Sequence, residues 1–477
     1  MWRGSVDGVM KGNGQEGYVT DYGDGVILDT GQQPWHRHDL YPVPLEMDMK
    51  LRRLDLSNSF IRQLHTLGLP HLQQLDLSYN QLDLISEGAF KNLARLEALN
   101  LSRNALSDNV GRSGRALRSV GGLRTLDISL NRLNDTAMEL CLRNKFSLHH
   151  LDLTGNAVTA LTRNTFKECP RLKTVLMANN LIRDIERGTF EALRQLDTLN
   201  LAENHLASIC DFRLHQASPK LETLNLQANA VKPCPPGEGL GRNRSPQHAP
   251  RRHNMSCVAF GQIKTLKRLN LEDNGIQMLY ANTFGKITLA HLSLARNRHL
   301  VLQAGALQGV QGSLQSLSLS QTNMTSRGLS LPCMPALSHL NISNNLLDAL
   351  PSSLSCSPLR VLDVSNNALT SMNRSVVEAM SSHLDAVYVS GNRFDCCDAA
   401  WLAVLNESGG KVLDFGQAKC TARGVSASLA DYAESPSRYC SFQTTVPGLT
   451  FGQKVIVVIF VMTIVSMLVA FTRIGCT

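Results

Sequence analysis

The chain has 477 residues, 43% of them apolar, and a net charge of +8 that is modest for this length. Twelve cysteines are too many for an ordinary reduced protein and point to an oxidising compartment. A chain facing that side of a membrane is not expected to meet nucleic acid.

Residues 1–45 are polar and glycine-rich, without an apolar h-region, so no signal peptide is visible. They are expected to form a disordered or atypical leader, read most simply as an incomplete or alternatively started coding sequence. His36 and His38, either side of Arg37, are read as incidental rather than as ligands.

From Leu51 the pattern L-x-x-L-x-L-x-x-N-x-L recurs about every 24 residues, in fourteen copies that end with the one at Leu384. LQQLDLSYNQL from Leu72 and LETLNLQANAV from Leu221 are clear examples. This is the signature of a leucine-rich repeat solenoid. Within L-x-L the side chains alternate, leucines into the interior and x residues outward. The expected fold is therefore α/β: a horseshoe over 46–394 whose concave face is a parallel sheet.

The asparagine of each copy turns the chain away from the strand. Its amide can satisfy buried backbone groups of the neighbouring rung, so it is read as structural. Ser59 and Thr322 take its place in two rungs. The returning arc adds a second apolar pair, as in GAFKNLARL and TFKECPRL. One rung cannot close a core alone, so stability comes from stacking and both ends need caps.

Asp55, Asp76, Asp127, Asp152 and Asp363 recur at one strand position. They are expected to form an acidic track on the concave face, better suited to a basic partner than to hydrolysis. No nucleophile elbow, His-Glu-x-x-His or phosphate loop occurs, and His149-His150 lies inside a strand. Neither a catalytic residue, a metal site nor a cofactor is expected. Eight N-x-S/T sequons stand at Asn100, Asn134, Asn243, Asn254, Asn323, Asn341, Asn373 and Asn406, which supports secretory routing. Glycans at Asn100 and Asn341 would cover part of the concave face.

Between the rungs at Leu221 and Leu266 the spacing grows to 45 residues. The insertion, 232–258, is rich in proline and arginine and bounded by Cys234 and Cys257, so a projecting loop tied at its base is expected. Arg242, Arg244, Arg251 and Arg252 could take heparan sulfate or an acidic partner, a solvated loop being the plainer reading.

Cys169 and Cys356 lie three residues before their rung's first leucine, where Leu93 and Leu193 sit elsewhere, and are expected in the core. A bridge from Cys356 to Cys333, nearly one rung away, is the alternative. Cys141 stays unassigned. Cys396 and Cys397, followed by Trp401, should pair with Cys420 and Cys440 in a C-terminal cap over 395–441, in an order the sequence leaves open. Adjacent cysteines are awkward zinc ligands. Eleven cysteines precede the apolar segment near the C-terminus, so at least one of them lacks an intrachain partner. Cys210, where the chain leaves its rung, is the candidate for a link to another protein.

A juxtamembrane linker, 442–454, leads to seventeen uncharged residues from Val455 to Phe471, flanked by Lys454 and Arg473. As a helix they rise roughly 25 Å, at the short end of a membrane span, with a basic stop signal after them. A tail of 472–477 follows, in which Cys476 is a weak palmitoylation candidate. A single-pass type I protein of the cell membrane, with an extracellular ectodomain, is expected.

Some stretches are far more specific than the repeat: NLQANAVKPC before the insertion, CVAFGQIKTLKRLNL after it, LPCMPALSHLNISNN, and GNRFDCCDAAWLAVL in the cap. Together these resemble the GARP (glycoprotein A repetitions predominant) family, transmembrane leucine-rich repeat proteins that hold latent transforming growth factor beta at the cell surface. From about Leu221 the likeness runs almost rung for rung, and the N-terminal rungs match well too.

The resemblance implies a protein that binds the pro-form of the cytokine through its repeats and is locked to the prodomain by disulfides. It then holds the complex against the pull of integrins, which frees the growth factor. Cys210 falls in the segment where the family places one linking cysteine, but two residues later. The family's array is also several rungs longer, and the missing rungs, with the second linking cysteine, belong between Cys210 and Leu221. A shortened isoform or a mispredicted coding sequence would explain this. The alternative reading is a generic leucine-rich repeat receptor or adhesion protein, resembling a Toll-like ectodomain without its signalling domain.

Overall fold

The computed structural model describes residues 51–106, 110–207, 214–233, 257–258, 260–285, 287–407 and 411–440, with the backbone of four short strands before residue 51. Fourteen three-residue strands, from Arg53–Asp55 to Ala386–Tyr388, pair in parallel and in chain order. The register joins leucine to leucine, Leu54 to Leu75 to Leu99 and on through Leu126 and Leu151. Each central residue is buried and its two neighbours face outward, as in Thr125–Asp127. The expected repeat solenoid with a parallel sheet is what the chain forms.

Two-residue strands line the side opposite the sheet, as where Ala160–Leu161 pairs with Asp184–Ile185. Between the two layers runs one apolar core, continuous from Leu54 to Leu429. The phenylalanines of the returning arcs stack within it, Phe166 on Phe190 with ring centroids 5.8 Å apart.

The asparagines close this core, as their spacing predicts. Asn156 donates to the Leu153 carbonyl at 2.8 Å and, across the rung, to the Ile128 carbonyl at 3.1 Å. Its oxygen accepts from the Asn131 and Leu133 amides. One side chain thereby satisfies backbone groups of two rungs that water cannot reach. Thr322 covers its gap with help: its amide and hydroxyl both approach the Asn345 oxygen, at 3.1 and 2.9 Å.

Both sheet ends are covered. At the N-terminal end Val9–Gly12, Gln15–Asp21 and Val26–Asp29 pair antiparallel, and Val26–Asp29 continues the sheet in parallel onto the first rung, Val26 opposite Leu54. These strands lie outside the repeat pattern and pair with the edge strand of the first rung.

At the other end Lys411–Val412 pairs with Ala386–Tyr388. The Asp414 carboxylate accepts from the Val389 and Ser390 amides at 2.9 and 2.7 Å, filling the place of a next rung. Cys396 bonds Cys420 and Cys397 bonds Cys440, which resolves the pairing the sequence left open. Trp401 is fully buried beneath them, 4.9 Å from the Phe394 ring.

One cysteine expectation is corrected. Cys356 is not in the core; it is exposed and bridged to Cys333. The 3-10 turn Ser352–Cys356 moves the apolar position back to Leu354, which is fully buried. Cys169 does lie in the core, as does Cys141, and both are free thiols. The insertion is closed at its base by Lys232–Pro233 pairing with Cys257–Val258.

Among the described residues no helix is long and apolar enough to cross a membrane. The apolar segment 455–471 lies outside them, as do Cys210, Cys234, Cys476, Asn243, Asn254 and the four loop arginines.

Candidate binding surface

Two outward positions per strand build the accessible face of the sheet. The second of them, followed through the register, reads Asp55, Asp76, Asn100, Asp127 and Asp152 in the first five rungs. Four of the five aspartates read as an acidic track stand in this row, interrupted by Asn100; Asp363 shares the strand position but is separated from Asp152 by seven strands without an aspartate there.

Their geometry gives them a second task. In each, one side-chain oxygen accepts from the backbone amide two residues on: Asp76 from Ser78 at 2.8 Å, Asp127 from Ser129 at 2.9 Å, Asp152 from Thr154 at 2.8 Å. Asp55 and Asp363 do the same with Ser57 and Ser365. Asn100, Asn200, Asn225, Asn270 and Asn341 make the identical bond. Such a side chain stabilises the turn that leaves the strand, so asparagine or aspartate serves equally. The choice of aspartate sets the charge of the face, and its remaining oxygen is the part a partner could use. Burial pushes the Asp127 carboxyl up, against the bonds from Ser129, and the neighbouring Asp152 adds to the rise.

Immediately after this turn every rung has a residue in the left-handed region, among them Tyr79, Arg103 and Leu130 at φ 54°. The rim they form carries exposed side chains, with the Arg103 guanidinium 4.7 Å above the Tyr79 ring. Gly155 continues the row at φ 69°, where the Leu130 side chain lies across it and leaves no room for a Cβ.

The sequons divide by position. Asn134, Asn323, Asn373 and Asn406 are exposed, and Asn134 and Asn373 also cap helices through their side-chain oxygens. A glycan occupies the amide nitrogen and leaves such a cap in place. Asn100 and Asn341 are half-buried on the sheet face, and Asn100 donates to Asp76 at 3.0 Å.

Chemistry-bearing groups beyond the acidic row are few among the described residues. A shallow cleft of about 590 Å³ lies along one flank, lined by residues including Lys173, Asp197, Glu222 and Arg268. No group of three or more His, Cys, Asp or Glu side chains is placed to hold a metal among the described residues. Sequence reasoning missed Lys145, which is fully buried and donates to the Leu117 and Arg143 carbonyls at 2.7 and 3.1 Å. Burial lowers its ammonium to about 8, and burial pushes the nearby Cys141 and Cys169 thiols up to about 12.

Comparison with known proteins bears on what this surface meets. The leucine rich repeat family profile matches residues 49–106 and 146–206. The transforming growth factor beta activator LRRC32 of Pongo abelii is 31% identical over 349 residues, 73% of this chain and 43% of that protein. The transforming growth factor beta activator LRRC33 of Danio rerio is 25% identical over 425 residues, 78% of this chain and 60% of that one. The chain therefore spans about half the length of these relatives. Among solved structures, the TLR13–ssRNA13 complex superposes with a TM-score of 0.59 at 26% identity, covering 80% of this chain and 56% of that one.

Proposed function

We propose that this leucine-rich repeat protein, similar along most of its length to the transforming growth factor beta activators LRRC32 and LRRC33, is a cell-surface docking protein for latent transforming growth factor beta. The observation that carries this reading is the 31% identity over 349 residues to a protein named for that activation. The doubled-cysteine cap over Trp401 supports it, because its motif GNRFDCCDAAWLAVL is among the stretches that resemble the same family.

In this reading the outward face of the repeat sheet, the expected concave face, binds the pro-form of the cytokine. The apolar segment 455–471 anchors the complex as a single-pass type I span. Anchored in this way, the pro-form offers the resistance against which integrins pull. Cys210, which follows the rung strand Thr198–Asn200 by ten residues, is the candidate for a covalent link to the prodomain. The likeness to the TLR13 chain supports a second reading, a generic leucine-rich repeat receptor or adhesion protein.

Co-expression with the growth factor's pro-form, followed by a non-reducing gel of surface protein, separates the two. A high-mass band that disappears in Cys210→Ala is expected. A chain that reaches the surface and captures no pro-form would rule out the docking reading.

A further inference from the structure

Across the rungs that begin at Leu266, Leu289, Leu314 and Leu337 the sheet face changes character. Its first outward position carries Arg268, His291, Ser316 and His339 in one register. The second carries Asn270, Ser293, Ser318 and Asn341, all uncharged. No carboxylate stands at either position in these four strands, whereas the first five rungs present four aspartates.

The charged groups around the row leave it positive. Lys267 precedes Arg268 and is held by Glu222 at 2.7 Å. Glu272 is occupied by Arg296 at 3.3 Å. Beyond His339 the next rung brings Arg360, followed by Val361 at the first outward position, while Asp363 is bonded to the Ser365 amide and hydroxyl. The strand between the histidines contributes only Gln315 and Ser316. His339 has its Nδ1 2.8 Å from the Ser338 hydroxyl.

We infer that this half of the sheet face is the docking site for an acidic surface of the bound pro-form, and that His291 and His339 make its affinity rise as pH falls. The inference rests on the docking reading above. His291 is half-buried, and burial, then Arg268 and His339, hold its imidazole below the usual histidine range. On the free face His291 therefore resists taking up a proton near neutral pH. A carboxylate laid along the row relieves the repulsion and favours the protonated rings. The complex then takes up protons that the free chain does not, so linkage requires tighter binding at lower pH.

The test uses the full chain in detergent, with Cys210→Ala to prevent a covalent link and Asn341→Gln so that no glycan stands beside His339. Soluble pro-form is passed over it and Kd measured at about pH 7.4 and about pH 6.0, with about tenfold tighter binding expected at the lower value. Because the pro-form titrates too, the same pair of measurements is made with His291→Gln and His339→Gln added, which should flatten the ratio. Equal or weaker binding at the lower pH, or an unchanged ratio in the added variants, overturns this inference alone. No complex at either pH overturns the docking reading and this inference with it.

Discussion

Lys145 shows how one buried charge can be accommodated in a leucine core. It stands three residues before Leu148, at the position Leu93 and Cys169 fill in other rungs. Two carbonyls bond its ammonium, and burial still lowers it to about 8. The unfolded chain holds that proton up to the ordinary lysine value of 10.5. Between about 8 and 10.5 the unfolded state binds more protons, so stability rises with pH across that window. A drop of this size corresponds to roughly 3 kcal/mol of penalty at neutral pH. Lys145→Met is expected to flatten the dependence of Tm on pH through the window. At pH 7 the relief is offset by leaving the two carbonyls unpaired, a cost of about 1–3 kcal/mol each. Thermal melts at several pH values check this, and an unchanged slope in the variant would refute it.

The same scale explains why the Asx residues were hard to read. Asp55 to Asp152 register as an acidic track because charge is visible in a sequence. The bond each makes to the amide two residues on belongs to the turn, and only the alternation of Asp with Asn at one position hints at it. Asp76→Asn should keep the fold, with a Tm shift equivalent to less than about 1 kcal/mol, while Asp76→Ala should lose the turn bond and cost about 1 kcal/mol. Equal losses in both variants would show that charge, not the turn, is what matters there.

At the scale of elements, the cap is a substitute for a fifteenth rung. Asp414 accepts the Val389 amide that a next strand would have bonded and the Ser390 amide that an Asx at Tyr388 would have bonded, and Trp401 is fully buried in the cap. The Trp401 Nε1 is buried without a hydrogen-bond partner among the described residues. Volume rather than hydrogen bonding is therefore its contribution. Trp401→Phe, which removes part of the ring volume, should cost clearly less than Trp401→Ala, which should cost about 3–5 kcal/mol through the larger cavity left behind. Urea unfolding of the two variants decides it; a Phe variant as weak as the Ala variant would contradict the packing argument.

How much of this was legible follows from what repeats. Period and alternation placed all fourteen strands and their inward leucines, because a rung that breaks the pattern breaks the core. The cap's four cysteines and tryptophan were legible as a set, although their pairing was not, since 396 and 397 are neighbours and either could reach either partner. Cys356 was misplaced because a 3-10 turn shifts the apolar position by two residues without altering the consensus around it. The basic row of Arg268, His291 and His339 escaped notice for another reason: its members are scattered by 23 and 48 residues and meet only when the rungs stack.

For the molecule as a whole, one-dimensional stacking decides what may be removed. Each rung bonds only its neighbours, so the rung at Leu221 is joined to that at Leu266 by direct pairing of Thr223–Asn225 with Arg268–Asn270. Asn274 reaches across the same junction to the Leu226 carbonyl at 2.9 Å and accepts from the Val231 amide. Among the described residues the insertion meets that junction at the closure of its base, where Lys232 stands opposite Cys257. Loop-closure cost grows only slowly with loop length, by roughly 0.6 kcal/mol per doubling. Excising residues 235–256 and joining Cys234 to Cys257 through a short Gly-Ser linker should therefore leave the rungs stacked, with Tm lowered by no more than about 4 °C. Circular dichroism melts of the excised and intact chains, with surface expression as the cellular readout, provide the check. Retention in the secretory pathway or a broad, non-cooperative melt would mean that the insertion is structural. Sheet pairing alone would then be too weak to hold the two halves of the array together.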